Sequence, residues 1–408
     1  MHTSLVRFAT AASLACLVAA PAAAQVMPPA SATSDSTDAM IRTMVGRLEF
    51  ARYKATVKGL TTFGDRRQGT DRNRAAVDWI EAQLTSYGCT NTERITYQFN
   101  PPTPAARPAT PPGPRPAVRR EQGGGVSRGM RTRTGVNSDS LRQPDARLRA
   151  LNSQPSTPGE RQEVYCTKVG STHPEEMYIV GAHMDGHGWG EAANDDASGT
   201  ALVMELARVF SSPDVVTDRS IRFILWNNEE TGLNGARAYV EQRFPLQGKE
   251  MPAGSGRYPE PKWLGMIQHD MMMFDHGMPR PDSSIAPEQR PEADVNIEFQ
   301  SNSKMASQSA TLAWFLHASN EKFATDYPAQ VGPHMTNTDS GPFQDLVAAI
   351  SLRENERGTM VGSGWDPHWH QPTDVFTTFT DKDFRLGLNA AQTTFGAVAL
   401  LAGATFRK

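Results

Sequence analysis

Gly181-Ala182-His183-Met184-Asp185-Gly186, then Ala193-Asn194-Asp195-Asp196-Ala197-Ser198-Gly199, then Leu225-Trp226-Asn227-Asn228-Glu229-Glu230-Thr231-Gly232 decide how this chain is read. Each acidic stretch is tied to an apolar run with the length and composition of a buried strand. Met177-Tyr178-Ile179-Val180 leads into His183, and Ile221-Arg222-Phe223-Ile224-Leu225-Trp226 leads into Glu229 and Glu230. Leu264-Gly265-Met266-Ile267 leads in the same way into Asp270. Open α/β sheets place their ligand crevices beyond the carboxyl ends of parallel strands, so residues far apart in sequence converge there.

The converging groups are His183, Asp195, Glu230, Asp270 and, near the end of the chain, His370. Two imidazoles and three carboxylates suit zinc, and they leave room for water. Asp195 can give one oxygen to each of two ions. A second cation also offsets the repulsion among carboxylates crowded into a desolvated cleft. Asp185, two residues after His183, can accept a hydrogen bond from an imidazole and fix its ligating geometry. Asp374 is a weaker candidate for the same service to His370. Among the remaining histidines, His173, His187, His269, His276, His317 and His334 read as structural or exposed, with His187 and His334 nearest the motif segments.

With these residues in view, the chain resembles the M28 family of zinc peptidases, particularly its aminopeptidase-like members. The resemblance runs from about Val45 to Leu401, apart from a proline-rich insertion. It rests on His183-Met184-Asp185, on Asn194-Asp195-Asp196-Ala197-Ser198-Gly199, on Trp226-Asn227-Asn228-Glu229-Glu230-Thr231-Gly232-Leu233 and on His370-Gln371-Pro372-Thr373-Asp374. It implies that His183 and Asp270 hold one zinc, that Glu230 and His370 hold the other, and that Asp195 bridges the two. It also implies that Glu229 is the general base for a bridging water in peptide-bond hydrolysis, at a free N-terminus of a peptide or protein. Two departures stand out. Ser340 follows Asp339 where many relatives carry histidine, and Trp369 precedes the final histidine where tyrosine is common. Related readings are a zinc carboxypeptidase or dipeptidase, for which Arg353 is a candidate carboxylate partner, a glutaminyl-cyclase-like reaction, and an inactive metal-dependent peptide-binding protein.

Outward from this centre the pattern alternates. Helices are expected over Thr37 to Gly59, Asp71 to Tyr87, Gly199 to Phe210, Asn234 to Arg243, Gln308 to Ser319 and Phe384 to Ala402. Strands are expected over Ile95 to Phe99, Gln162 to Val169, Glu176 to Val180, Ser220 to Trp226, Trp263 to Gln268 and Leu346 to Leu352. The order implies an α/β fold with a mixed, largely parallel central sheet covered by helices, and the resemblance makes it zinc-exopeptidase-like. The domain is expected to span residues 37–408. Residues 101–159, rich in Pro, Gly and Arg, read as a mobile insertion. Met271, Met272, Met273, Phe343 and Trp369 are candidates either for a pocket wall or for apolar packing.

Residues 1–24 have the positive start, short apolar run and Ala22-Ala23-Ala24 ending of a secretion signal, with residues 25–36 loose behind it. The expected location is therefore periplasmic or secreted. No later stretch is apolar and long enough to span a bilayer. A net charge of −3 over 408 residues gives no basic face for nucleic acid. Of three cysteines, Cys89 and Cys166 would survive cleavage. Spacing leaves a disulfide and two separate thiols equally open. The chain has no Gly-x-Ser-x-Gly elbow, and Gly123 to Gly125 lack the lysine of a phosphate loop.

Overall fold

The computed structural model describes residues 34–89, 91–101, 136–275, 295–333, 338–354 and 366–407. The expected signal, most of the loose segment behind it, residues 102–135 of the insertion, His276 and His334 lie outside the described residues.

The strands are β1 (Glu93–Phe99), β2 (Gly159–Lys168), β3 (His173–His183), β4 (Val215–Val216), β5 (Arg219–Trp226), β6 (Lys262–His269), β7 (Val295–Phe299), β8 (Ala329–Gly332), β9 (Ala349–Glu354) and β10 (Thr405–Phe406). The helices are α1 (Asp35–Val45), α2 (Phe50–Thr61), α3 (Asp71–Ser86), α4 (Ala146–Asn152), α5 (Ala197–Phe210), α6 (Asn234–Arg243), α7 (Ala306–Phe323) and α8 (Asp381–Ala402). Eight strands form one mixed sheet in the order β1-β2-β5-β3-β6-β9-β7-β8, and β4 pairs separately with β10. Neighbours from β5 through β3 and β6 to β9 run parallel. The β1–β2, β2–β5 and β7–β9 pairs are antiparallel. The four central strands therefore end on one edge, at His183, Trp226, His269 and Glu354.

The central strands read as continuous apolar runs because both faces are covered. In β3, Tyr178 and Val180 enter one core while Met177 and Ile179 enter the other. In β5, Ile221, Phe223 and Leu225 face the first core, and Ile224 and Trp226 the second. The period of two thus sorts a uniformly apolar string onto opposite sides. The first core is the larger and packs under α5 and α8, with Phe210 stacked on Phe395 at 4.2 Å. The second lies under α6 and holds an aromatic cluster: Trp226, Tyr239, Trp263 and Phe343 meet with centroids 5.1 to 6.1 Å apart. Phe343 is fully buried there, packed among these rings. Met271, Met272 and Met273 are likewise buried.

Two expectations need correction, and two further features were left open or unread. The helix expected from Thr37 to Gly59 is two helices. Gly46 caps α1, and the Glu49 amide is held by Glu205 Oε1 at 2.7 Å, which breaks the helical path before α2. The insertion expected to be mobile as far as residue 159 is built from residue 136 onward. It carries a 3-10 turn at Ser140–Arg142, then α4, whose N-cap Asp145 accepts from the amides of Arg147 and Leu148. The edge strands β7 and β8 had no counterpart in the sequence reading. Cys89 and Cys166, left open above, form a disulfide with a Cα separation of 5.9 Å. Among the described residues, no helix is long and apolar enough to cross a membrane.

Candidate metal centre

Beyond the shared edge of β3, β5, β6 and β9, the chain gathers buried acids and imidazoles. Asp195 sits in the middle. Its Oδ1 lies 3.2 Å from His183 Nε2, and its Oδ2 lies 3.0 Å from His370 Nε2. His183 ends β3 and also faces Asp270 Oδ1 at 3.9 Å. On the other side, His370 Nε2 is 2.9 Å from Glu230 Oε2. The donor atoms form two compact groups, His183 with Glu229 and Asp270, and His187 with Glu230 and His370. Asp195 touches one imidazole of each.

A shell of hydrogen bonds fixes these positions. Asp196 is the N-cap of α5, accepting from Gly199 N at 2.8 Å, and it also accepts from Met271 N and His183 N. One carboxylate thereby joins the helix start to the ends of β3 and β6. Ser198, in the first turn of that helix, donates to Asn194 O at 2.7 Å. The Asp195–Asp196 peptide is cis. Arg353, at the end of β9, holds Asp270 Oδ2 at 2.9 Å. Arg66 is fully buried and donates to the carbonyls of Met184, Glu191 and Ala192 at 2.7 to 2.8 Å, which fixes the loop behind His183.

Two orienting roles differ in detail from the sequence reading. His183 Nδ1 meets the backbone carbonyl of Asp185 at 2.9 Å, whereas the nearest carboxylate oxygen of Asp185 is 4.0 Å away. That carboxylate instead takes the amide of Glu229 at 3.0 Å. Asp374 does not reach His370. Its oxygens accept from the amides of Asn194 and Asp195, at 2.8 and 3.2 Å, and so hold the turn that carries Asp195. His370 is the histidine at the centre, while His368 is engaged with Thr373 Oγ1 at 2.8 Å. His269 lies between Gly181 O and Thr394 Oγ1, and burial lowers its pKa to about 4, so it is a neutral core histidine. His187, set aside in the sequence, stands in the centre. Its Nε2 is 3.0 Å from Glu230 Oε2, and its ring meets that of His370 edge-on at 4.0 Å.

The electrostatics call for positive charge at the middle of this group. Burial opposes charge on His370, yet Glu230 and Asp195 raise its pKa to about 10. His183 is raised in the same way against its burial, by Glu229, Asp195 and Asp270. Burial pushes Glu229 well above the usual carboxylate range, with Asp339, Glu230 and Asp270 adding to the shift. Burial also raises Asp185, to about 6. Glu230 is pulled down to about 2 by His187 and His370, against its burial. Glu230 Oε1 is buried with no hydrogen-bond partner among the described residues. Imidazole nitrogens aimed at carboxylates, together with an unsatisfied carboxylate oxygen, are the donor chemistry of divalent zinc sites, so the residues fit a pair of ions.

Residues 163–391, more than half of the chain, match the profile of Peptidase family M28. The chain belongs to peptidase family M28. Aminopeptidase YwaD of Bacillus subtilis is 42% identical over 79 residues, which is 19% of this chain and 16% of that one. The "Probable lipoprotein aminopeptidase LpqL" of Mycobacterium tuberculosis is 30% identical over 247 residues, 59% of this chain and 45% of that one. The chain thus spans less than half the length of these curated relatives. Among solved structures, the aminopeptidase from Aneurinibacillus sp. strain AM-1 superposes with a TM-score of 0.55 at 18% identity, covering 88% of this chain and 95% of that one. The Porphyromonas gingivalis glutaminyl cyclase superposes with a TM-score of 0.52 at 15% identity, covering 86% and 98%. The M28 chain therefore has the α/β fold of the known zinc exopeptidases, and the fold alone does not separate peptidase from cyclase.

Proposed function

We propose that this M28 protein is a zinc-dependent aminopeptidase that removes residues from the N-termini of peptides or proteins. The supporting observation is the carboxylate of Asp195, which gives one oxygen to His183 and the other to His370. In this reading His183, Asp270 and Asp195 hold one zinc, and Glu230, His370 and Asp195 hold the other. When bound, the pair would supply Lewis acidity to polarise the scissile carbonyl and to lower the pKa of the attacking water. The chain's own residues do the rest. Glu229 is buried beside His183 and Asp270, and its backbone is tied to Asp185, so its carboxylate is held for taking a proton from the attacking water. The same carboxyl then returns that proton to the departing amine. Arg353 keeps Asp270 aligned and charged.

The carboxypeptidase alternative needs a cation offered to a substrate carboxylate. Arg353 is buried and engaged with Asp270 and Glu298, which argues against its serving that way. We propose export as well, with residues 1–24 as the signal.

The test uses the chain from Gln25 onward with matched peptides bearing free or acetylated N-termini, followed by product masses. Chelation should abolish release of the first residue, and zinc should restore it. Equal rates on free and blocked peptides would reject the aminopeptidase reading. A product that has lost ammonia without cleavage would favour a cyclase.

A further inference from the structure

The two flanks of the centre are not equivalent. On one flank, Asp270 is already neutralised by Arg353 at 2.9 Å. On the other, Glu230 Oε2 faces two imidazole nitrogens, His187 Nε2 at 3.0 Å and His370 Nε2 at 2.9 Å. Donor atoms of His187, Glu230 and His370 lie within 4.8 Å of one another, and Asp195 Oδ2 closes the group at 3.0 Å from His370. Two imidazoles around one carboxylate make a set that a zinc ion would fill. No arginine or lysine competes for Glu230 among the described residues.

The backbone also holds His187 in place. It lies between Gly186 and Gly188. Gly188 has φ +100°, and a side chain there would strike the backbone of His370. Asn137 joins the two histidine loops, donating its amide to His370 O at 3.0 Å and its side chain to Gly188 O at 3.4 Å. The imidazoles of His187 and His370 are thereby fixed edge to face, 4.0 Å apart.

Building on the two-zinc reading above, we propose that His187 is itself a ligand of the ion held by Glu230 and His370. The ions are then held unequally. His187, Glu230, His370 and Asp195 would offer one ion four protein donors, and His183, Asp270 and Asp195 would offer the other three. The ion with the additional imidazole would be held the more tightly.

The test reads metal binding, not turnover. Protein stripped by a chelator is titrated with zinc against a competing chromophoric chelator, and with cobalt followed by its visible spectrum. The unaltered protein should take up two ions in resolved steps, one at least about tenfold tighter than the other. His187→Ala should weaken the tight step by about 10- to 100-fold, the loss seen even for partners one shell further out, and leave the weak step in place. His187→Gln keeps an amide that can donate to Glu230 but is a poor zinc ligand, so it should lose the same affinity. Thermal unfolding of the metal-free forms checks that each variant folds, and His187→Gln decides the matter should His187→Ala fail that check. Unchanged steps in a folded variant would overturn the proposal, as would full recovery with glutamine, which would make His187 only a hydrogen-bond partner. Uptake of a single ion by the unaltered protein would overturn the two-zinc reading itself, a distinguishable failure.

Discussion

Asp195 stands between two imidazoles, one oxygen toward each, and everything at the residue scale follows from keeping it there. The two carboxylates that do this work indirectly are Asp374, which holds the amides of Asn194 and Asp195, and Asp196, which ties the α5 start to β3 and β6. Neither touches a candidate ligand atom. His183, Glu229, Glu230 and Asp270 were legible because each follows an apolar strand, and strand ends in a parallel sheet converge, whereas Asp195 and His370 lie in loops and were legible from their motifs. The supporting acids were not, because a carboxylate that accepts backbone amides leaves no spacing pattern and depends on which loop lies opposite. His187 was discounted for the same reason, since its neighbour His370 is far along the chain. Glu229 gives the direct residue-scale prediction. Glu229→Gln should keep its zinc content and lose about 10²- to 10⁴-fold in kcat on free-amine peptides, the usual contribution of a positioned base. Metal analysis beside steady-state kinetics checks this, and full turnover at unchanged zinc content would remove Glu229 from the mechanism.

At the scale of elements, legibility followed burial. β3 and β5 are buried on both faces and announce themselves as apolar runs. β7 reads Val295-Asn296-Ile297-Glu298-Phe299, where buried Asn296 and Glu298 interrupt the apolar signal, and β8 is only four residues long. α1 and α2 merged in the sequence because Ile41, Met44, Val45 and Leu48 keep a helical period across the break, which a contact from α5 imposes. The segment before β2 likewise gains its order from contacts distant in sequence. Gln143 donates to Trp189 O at 2.7 Å and to Pro372 O at 2.9 Å, joining the loop after His187 to the loop after His370. Gln143→Ala leaves two carbonyls without this donor. It should cost about 1–3 kcal/mol of stability and lower zinc retention under chelator challenge. Urea midpoints and metal analysis would show this, and an unchanged midpoint would mean the two loops do not depend on that link.

For the whole molecule, the sheet and its two unequal cores set the framework, and one covalent bond spans it. Cys89, just after α3, is joined to Cys166 in β2 across 77 residues of chain. Loss of a cross-link over so long a loop removes a constraint on the unfolded chain worth about 2–5 kcal/mol. The double variant Cys89→Ser/Cys166→Ser should therefore melt several degrees lower while its metal-free far-UV spectrum stays the same. No change in melting would show that the pairing contributes nothing in solution. The pairing was undecidable from spacing because it depends on β2 lying beside the end of α3, which only the assembled sheet shows.

The stretch from residue 102 to residue 135 is anchored at both boundaries. Before it, Phe99 pairs with Gly159. After it, Asn137 grips the carbonyl of His370. In general, closing a chain interval between two fixed points costs only about 0.6 kcal/mol more for each doubling of its length. The clasp of Asn137 on His370 should therefore depend on the anchors themselves and little on the number of residues between them.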